Sequence, residues 1–312
     1  MSKSDKIDAA EKLEGIMNGE LLMHEPMAKH TTYGIGGPAL AYFHPANVDD
    51  LVVILKTADE KSIPIFFAGS GSNLLVSDDG FDGFVISLAK YFRKLEFNDK
   101  HVLVESGVMM GRLVKECISR NLSGVESLIG VPGTVGGAIR MNAGAYGHEI
   151  SKSLDKLKVV TMTGDLKEYG SDEIDFDYRY SSLQDNEILV SATFEFEEGK
   201  REKIQELRSL ASESRKKSQP LKFRSAGSVF KNPTGGNSAG YYIDQAGLKG
   251  TRSGNAEIST KHANFFVNHG GASSEDISEL IRLAKIAVRE QFNIELELEI
   301  KTLGFPPNHF DA

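Results

Sequence analysis

The chain has 312 residues, 26% of them charged and 40% hydrophobic, with a formal net charge of −8. That length holds more than one domain, and the composition is that of a globular enzyme. The acidic balance excludes a general nucleic-acid binder, and the single cysteine, Cys117, excludes an internal disulfide.

The N-terminal stretch MSKSDKIDAAEKLEGIMNGE is polar and lacks the apolar core of a signal peptide. Its Ile7, Ala10, Leu13 and Met17 fall at helical spacing and predict a short surface helix. Asn47, with Asp50 three residues on, has the pattern of a capping box before the helical run LVVILKTADEK. IPIFFAG then reads as a buried strand, GSGSN as a loop and LLVSD as the next strand. Residues 81–108 read as β structure, and a helix is expected at 109–120, with Cys117 a small buried apolar side chain. A glycine-rich segment runs from Gly124 to Gly147, and residues 157–197 are again β-rich. A charged helix at 202–217 stops before Pro220 and reads as the hinge to another domain. That domain is expected to run through strands at 226–231 and 262–267 to a helix at 274–292, whose Ile277, Leu280, Ile281, Ala284, Val288 and Phe292 form one apolar face. NIELELEIKTLG alternates strictly and predicts a final strand. No apolar run approaches the about eighteen residues of a membrane span, and no internal repeat is visible.

Three loops combine small residues in ways that suit phosphate: Gly34 to Ala39, Gly69 to Asn73, and Gly130 to Gly137. Small residues let backbone N–H groups approach a phosphate, and Ser, Thr and Asn add donors. Each loop alone is equally well a tight turn. The P-loop pattern lacks its lysine here. Gly34 to Ala39 fits GxGxxA, but Pro38 and the absence of a flanking strand and long helix argue against a Rossmann turn. A dinucleotide would then be held by two loops from different parts of the sheet structure. No group of His, Cys, Asp and Glu has metal-ligand spacing, so no metal is expected.

FFAGSGSNLLVSDDGFDG resembles the pyrophosphate loop of the FAD-binding fold of vanillyl-alcohol-oxidase-type flavoproteins. ESLIGVPGTVGGAIRMNAGAYG resembles the second flavin loop of the UDP-N-acetylenolpyruvoylglucosamine reductases of peptidoglycan synthesis. HTTYGIGGPA, Tyr178-Arg179, SAGSVFKNP at 225–233, AEISTKHANFFVN at 256–268 and LELEIKTLG at 296–304 resemble further segments of that family, in the same order. The resemblance implies an α+β fold: a two-subdomain FAD-binding part (1–80 and 81–209), a C-terminal α+β substrate domain (210–293), and a terminal strand and tail (294–312) carrying Glu299 to the site. It also implies a bacterial, cytoplasmic enzyme with non-covalent FAD and NADPH as co-substrate. The substrate would be a UDP-linked amino sugar, with no nucleic-acid, membrane or obligate protein partner. Tyr178-Arg179-Tyr180-Ser181-Ser182 runs straight toward EILVSATFEF, which leaves no room for the tyrosine-bearing lid of some family members.

Transferred residue by residue, the resemblance assigns flavin binding to Gly69, Ser70, Gly71, Ser72, Asn73, Leu74, Pro132, Gly133, Gly136, Gly137, Asn142, Gly144 and Ala145. It assigns substrate binding to Tyr146, Lys231 and Asn232, with Arg140 beside the second loop. Its catalytic set is Arg179, Ser228 and Glu299. Hydride delivered to an enolpyruvyl ether leaves negative charge building toward the carboxylate, which calls for a fixed cation such as Arg179 and a neutral donor such as a protonated Glu299. A proton must then reach the carbon next to that carboxylate, the role given to Ser228. Taken singly, these residues read as a surface ion pair, a solvent-facing strand residue and a turn serine. His262 reads as structural rather than as a base. Two other functions stand beside this one: a flavin oxidase of the same fold, against which the SAGSVFKNP and LELEIKTLG segments argue, and a non-catalytic nucleotide-binding regulator, which would purify colourless.

Overall fold

The computed structural model describes residues 2–311, and the chain divides into two units. The first takes in the residues up to Met23, Leu40–Ser70 and Gly83–Arg215; the second takes in His24–Ala39, Gly71–Asp82 and the residues from Lys216 on.

In the first unit, strand segments 20–23, 40–44, 83–86 and 65–67 lie side by side in that order. The helix Val48–Glu60 buries Leu51, Ile54, Leu55 and Ala58, the i, i+3, i+4, i+7 stripe that packs with Phe43, Phe84 and Ile86. Asn47 caps it by accepting from the Asp50 N–H at 2.9 Å. The reciprocal half of the expected box is redirected: the buried Asp50 carboxylate accepts from the Ala46 N–H at 2.9 Å and the Asn18 N–H at 3.1 Å. A cap of this kind is worth about 1 kcal/mol. A five-stranded antiparallel sheet follows, ordered Leu166–Gly170, Leu154–Thr161, Glu187–Glu195, His101–Glu105, Leu95–Asn98. The helix Met110–Ser119 covers its core with Met110, Leu113, Val114, Cys117 and Ile118. Burial pushes the Cys117 thiol up to about 12, which makes it inert as a nucleophile.

The second unit holds a three-stranded antiparallel sheet, Arg252–Ser253, Ala256–Ile258 and Phe266–Asn268. The helix Ser274–Phe292 packs Ile277, Leu280, Ile281, Ala284 and Val288 into the unit's core. It starts with a full capping box between Ser273 and Asp276 and stops at Asn293, whose φ of 55° is left-handed. Leu74–Val76 pairs in parallel with Lys301–Leu303.

Three sequence expectations need correction here, the first being the strand expected at 262–267, which is found only at Phe266–Asn268. Residues 226–231 form no strand, and the alternating C-terminal run is a strand only at Lys301–Leu303. Single bridges, Ser228 with Phe265 and Phe230 with Leu298, stand where ladders were expected. The alternation survives as burial, with Leu296 and Ile300 inside and Glu295 and Glu297 exposed. Two of the hydrogen bonds beside residues 228–231 are made by the Asn264 side chain in place of a neighbouring backbone. Among the described residues, no helix is long and apolar enough to cross a membrane.

Candidate active site

In the first unit the two glycine loops meet. A Cβ at Gly69 would stand 2.9 Å from Thr134 Oγ1, so only glycine lets the loops approach this closely. Thr134 caps the short helix Val135–Arg140 by accepting from the Gly137 N–H at 3.3 Å. The Val135 and Gly136 N–H groups donate to Val108 O and Ser106 O, so Gly136 contributes room against Ser106. Gly133 has a φ of 125°, while Pro132 is exposed at the loop's crest.

Asn142 follows, fully buried and with a φ of 41°. Its Nδ2 donates to Asp177 O at 3.1 Å, and Ser181 Oγ donates to Arg140 O at 2.8 Å. These bonds fasten the second loop to the hairpin of Phe176–Asp177 and Tyr180–Ser181, whose two turn residues are Tyr178 and Arg179. Arg179 has a φ of 56°, costly for a residue with a Cβ, and its guanidinium lies 4.8 Å from the centre of the Tyr178 ring. Only residues 182–186 separate this hairpin from the strand Glu187–Glu195, which leaves no lid-sized insertion. Gly144–Ala145 pairs with His148–Glu149, and Tyr146, between them, is exposed with a φ of 53°. Arg140 is committed elsewhere, to Gln184 O at 2.8 Å and to Asp185.

The second unit brings the C-terminal residues together. Gly71 has a φ of 65°, and a Cβ there would fall 1.9 Å from His30 O. Its carbonyl accepts from the Thr32 N–H at 3.1 Å, and Thr32 Oγ1 donates to Ser225 O at 2.7 Å. Asn73 Nδ2 donates to Glu299 O at 3.0 Å, and the Lys301 N–H donates to Asn73 O at 2.9 Å. The Glu299 N–H donates to Val229 O at 2.8 Å, one residue from Ser228. Ser228 and Glu299 are both half-buried. Lys231 Nζ pairs with Glu297, and Asn232 Oδ1 accepts from the Ala239 N–H at 3.1 Å. His262 Nδ1 accepts from the Asn264 N–H at 3.3 Å, a structural use, and burial pulls its imidazole below the ordinary value.

Sequence reasoning missed two residues. Asn264 sat unremarked within a motif; its signal was a polar residue in an otherwise apolar run. Arg215, within the charged helix expected at 202–217, is half-buried beside Gly130. Burial draws its guanidinium down from the usual arginine value.

The family "UDP-N-acetylenolpyruvoylglucosamine reductase, C-terminal domain" matches residues 219–303, and the family "FAD binding domain" matches residues 39–170. The UDP-N-acetylenolpyruvoylglucosamine reductase of Heliobacterium modesticaldum is 39% identical over 92% of this chain and 91% of its own length. The chain belongs to the UDP-N-acetylenolpyruvoylglucosamine reductase family. A second reductase of this name, from Clostridioides difficile, is 40% identical over 91% of this chain and 94% of its own. The crystal structure of the reductase from Thermus caldophilus matches with a TM-score of 0.79 at 36% identity, covering 92% of this chain and all of that one. As a member of the family, the protein is an oxidoreductase with an FAD-binding domain.

Its residues fit that cofactor. Ser70 Oγ and Asn142 Oδ1, one from each loop, are buried without a protein partner among the described residues. Buried polar atoms are nearly always satisfied, and a polar ligand at the loops would satisfy both. Gly71→Ala is expected to displace the first loop, because the added methyl meets the His30 carbonyl at a φ that already disfavours alanine. The purified variant should lose its 450-nm-region flavin absorbance while keeping a cooperative melt. Full retention of bound flavin would remove this loop from the cofactor site.

Proposed function

We propose that this protein reduces the enolpyruvyl ether of UDP-N-acetylenolpyruvoylglucosamine to the lactyl ether, giving UDP-N-acetylmuramate for bacterial peptidoglycan in the cytoplasm, with NADPH as electron donor. The observation that carries the reading is the joining of Asn73, Glu299 and the Ser228 segment by backbone and side-chain hydrogen bonds, in a chain whose relatives bear the reductase's name.

FAD, when bound, supplies the hydride relay between the nicotinamide and the terminal enolpyruvyl carbon. The chain's own residues do the rest. Ser70, Thr134, Asn142 and the glycines around them hold the cofactor. Arg179 offers a permanent positive charge to the substrate carboxylate as negative charge gathers there. Its left-handed backbone is the strain expected where a turn is fixed by function. Glu299, kept protonated beside that anion, donates a hydrogen bond to it. Ser228 Oγ passes a proton to the carbon next to the carboxylate, on one face. Lys231, Asn232 and Tyr146 bind the diphosphate and sugar; Lys231 exchanges its Glu297 partner for phosphate. Residues 210–293 form the substrate-recognition part.

NADPH consumption by the yellow protein should rise steeply when the enolpyruvyl sugar nucleotide is added and should stay near background without it. A colourless protein, or oxidation of NADPH indifferent to that substrate, would overturn the reading. The first result favours a binding protein and the second an oxidase.

A further inference from the structure

The segment that carries Ser228 has no strand ladder on either side, yet it is pinned along both edges. On one edge the Val229 N–H donates to Asn264 O at 2.8 Å. The Phe230 N–H donates to Asn264 Oδ1 at 2.9 Å, and Asn264 Nδ2 donates to Phe230 O at 2.7 Å. A single carboxamide thus takes both backbone groups of Phe230, the work a neighbouring strand would do. On the other edge Val229 O accepts from the Glu299 N–H at 2.8 Å, and the Lys231 N–H donates to Glu297 O at 2.9 Å. Asn264 is 3% exposed and Phe230 fully buried, so these bonds form away from competing water.

The clamp is itself held. The Asn264 N–H donates to His262 Nδ1, which requires an unprotonated ring nitrogen, and the His262 ring packs 4.8 Å from that of Phe265. Phe265 in turn bridges to Ser228.

We propose that Asn264 is a positioning residue for the reduction: by clamping Phe230 and Val229 it fixes the register between Ser228 and Glu299. It acts through the backbone that carries the reacting groups. The inference rests on the roles given above to Ser228 and Glu299. An ordinary buried asparagine would support the fold and no more. This one spans the two residues that separate Ser228 from Lys231, and the Val229 carbonyl it steadies is the anchor of Glu299.

Asn264→Asp keeps the size and the acceptor for the Phe230 N–H, but removes the donor and sets a carboxylate oxygen against the Phe230 carbonyl. Anaerobic stopped flow on the flavin-loaded variant reads both half-reactions. Oxidation of the reduced protein by the enolpyruvyl sugar nucleotide should slow by about 10²-fold, the cost of a misplacement near 1 Å. Reduction by NADPH should stay within about threefold of wild type, and kcat should fall by more than KM changes. In a Ser228→Ala background the same substitution should cost less than about threefold more, since the group it positions is gone. Should Asn264→Asp fail to retain flavin, His262→Phe keeps the ring packing, removes the acceptor for the Asn264 N–H, and is expected to show the same pattern at about fivefold. Equal costs in both backgrounds, or a normal substrate half-reaction beside a slow Ser228→Ala, would overturn this inference alone. A Ser228→Ala protein with an undiminished substrate half-reaction would overturn the assignment of Ser228, and this inference with it.

Discussion

Replacing Ser228 with alanine is expected to slow reaction with the sugar nucleotide by about 10³-fold while NADPH still reduces the flavin at a near-normal rate. The hydroxyl is needed only where a proton is delivered, and hydride transfer from the nicotinamide delivers none to the substrate carbon. The geometry makes the comparison clean. Ser228 is half-buried, and its segment is held by main-chain bonds at Val229 and Lys231 and by the Asn264 side chain at Phe230, none of which uses Oγ. Stability should therefore change by no more than about 1 kcal/mol, checked by thermal melting of the flavin-loaded protein. An equal loss in the two half-reactions would mean that the serine shapes the cofactor site and donates no proton.

Arg179 has the second large effect, and its backbone allows an unusual test. With a φ of 56° the residue sits where glycine is at ease and a side chain is strained by about 1 kcal/mol. Arg179→Gly should raise the melting temperature slightly while lowering kcat by about 10²- to 10³-fold, the scale of losing one electrostatic stabiliser. The two readouts move in opposite directions, which a structural arginine does not do. Arg179→Lys should keep the strain and the charge yet remain impaired, because the planar fork is lost. If the glycine variant loses stability and activity together, the arginine serves the hairpin and the fixed cation must be sought elsewhere. Arg215, half-buried beside Gly130, is then the first place to look.

The helices were legible because their signals are local. The apolar face read at 274–292 was such a signal, and five of its six residues are buried; the Ser273–Asp276 box and the left-handed Asn293 that bound the helix emerge only from the structure. Asn47 marked its helix equally well, but its partner Asp50 turned to Ala46 and Asn18, a tertiary choice that spacing does not contain. The strand expected at 226–231, and the part of the NIELELEIKTLG run before Lys301, failed for a related reason. Alternation reports which side chains face the core, and it did so correctly for Leu296 and Ile300; it does not report what pairs the backbone. Here the pairing comes partly from Asn264, thirty-four residues beyond Phe230. The glycine loops were visible as composition, and Gly71 and Gly69 have the tight surroundings that make composition meaningful. Their meeting at Thr134 depends on long-range packing and was beyond any local signal.

The measurement that reaches the central claim most directly is a single anaerobic turnover. The protein is reduced with one equivalent of NADPH, mixed with one equivalent of the enolpyruvyl sugar nucleotide, and followed by flavin absorbance and by analysis of the sugar product. Oxidised flavin should return rapidly, with one lactyl ether formed per NADPH consumed. Flavin that stays reduced until oxygen is admitted, with the enolpyruvyl ether recovered unchanged, would contradict it.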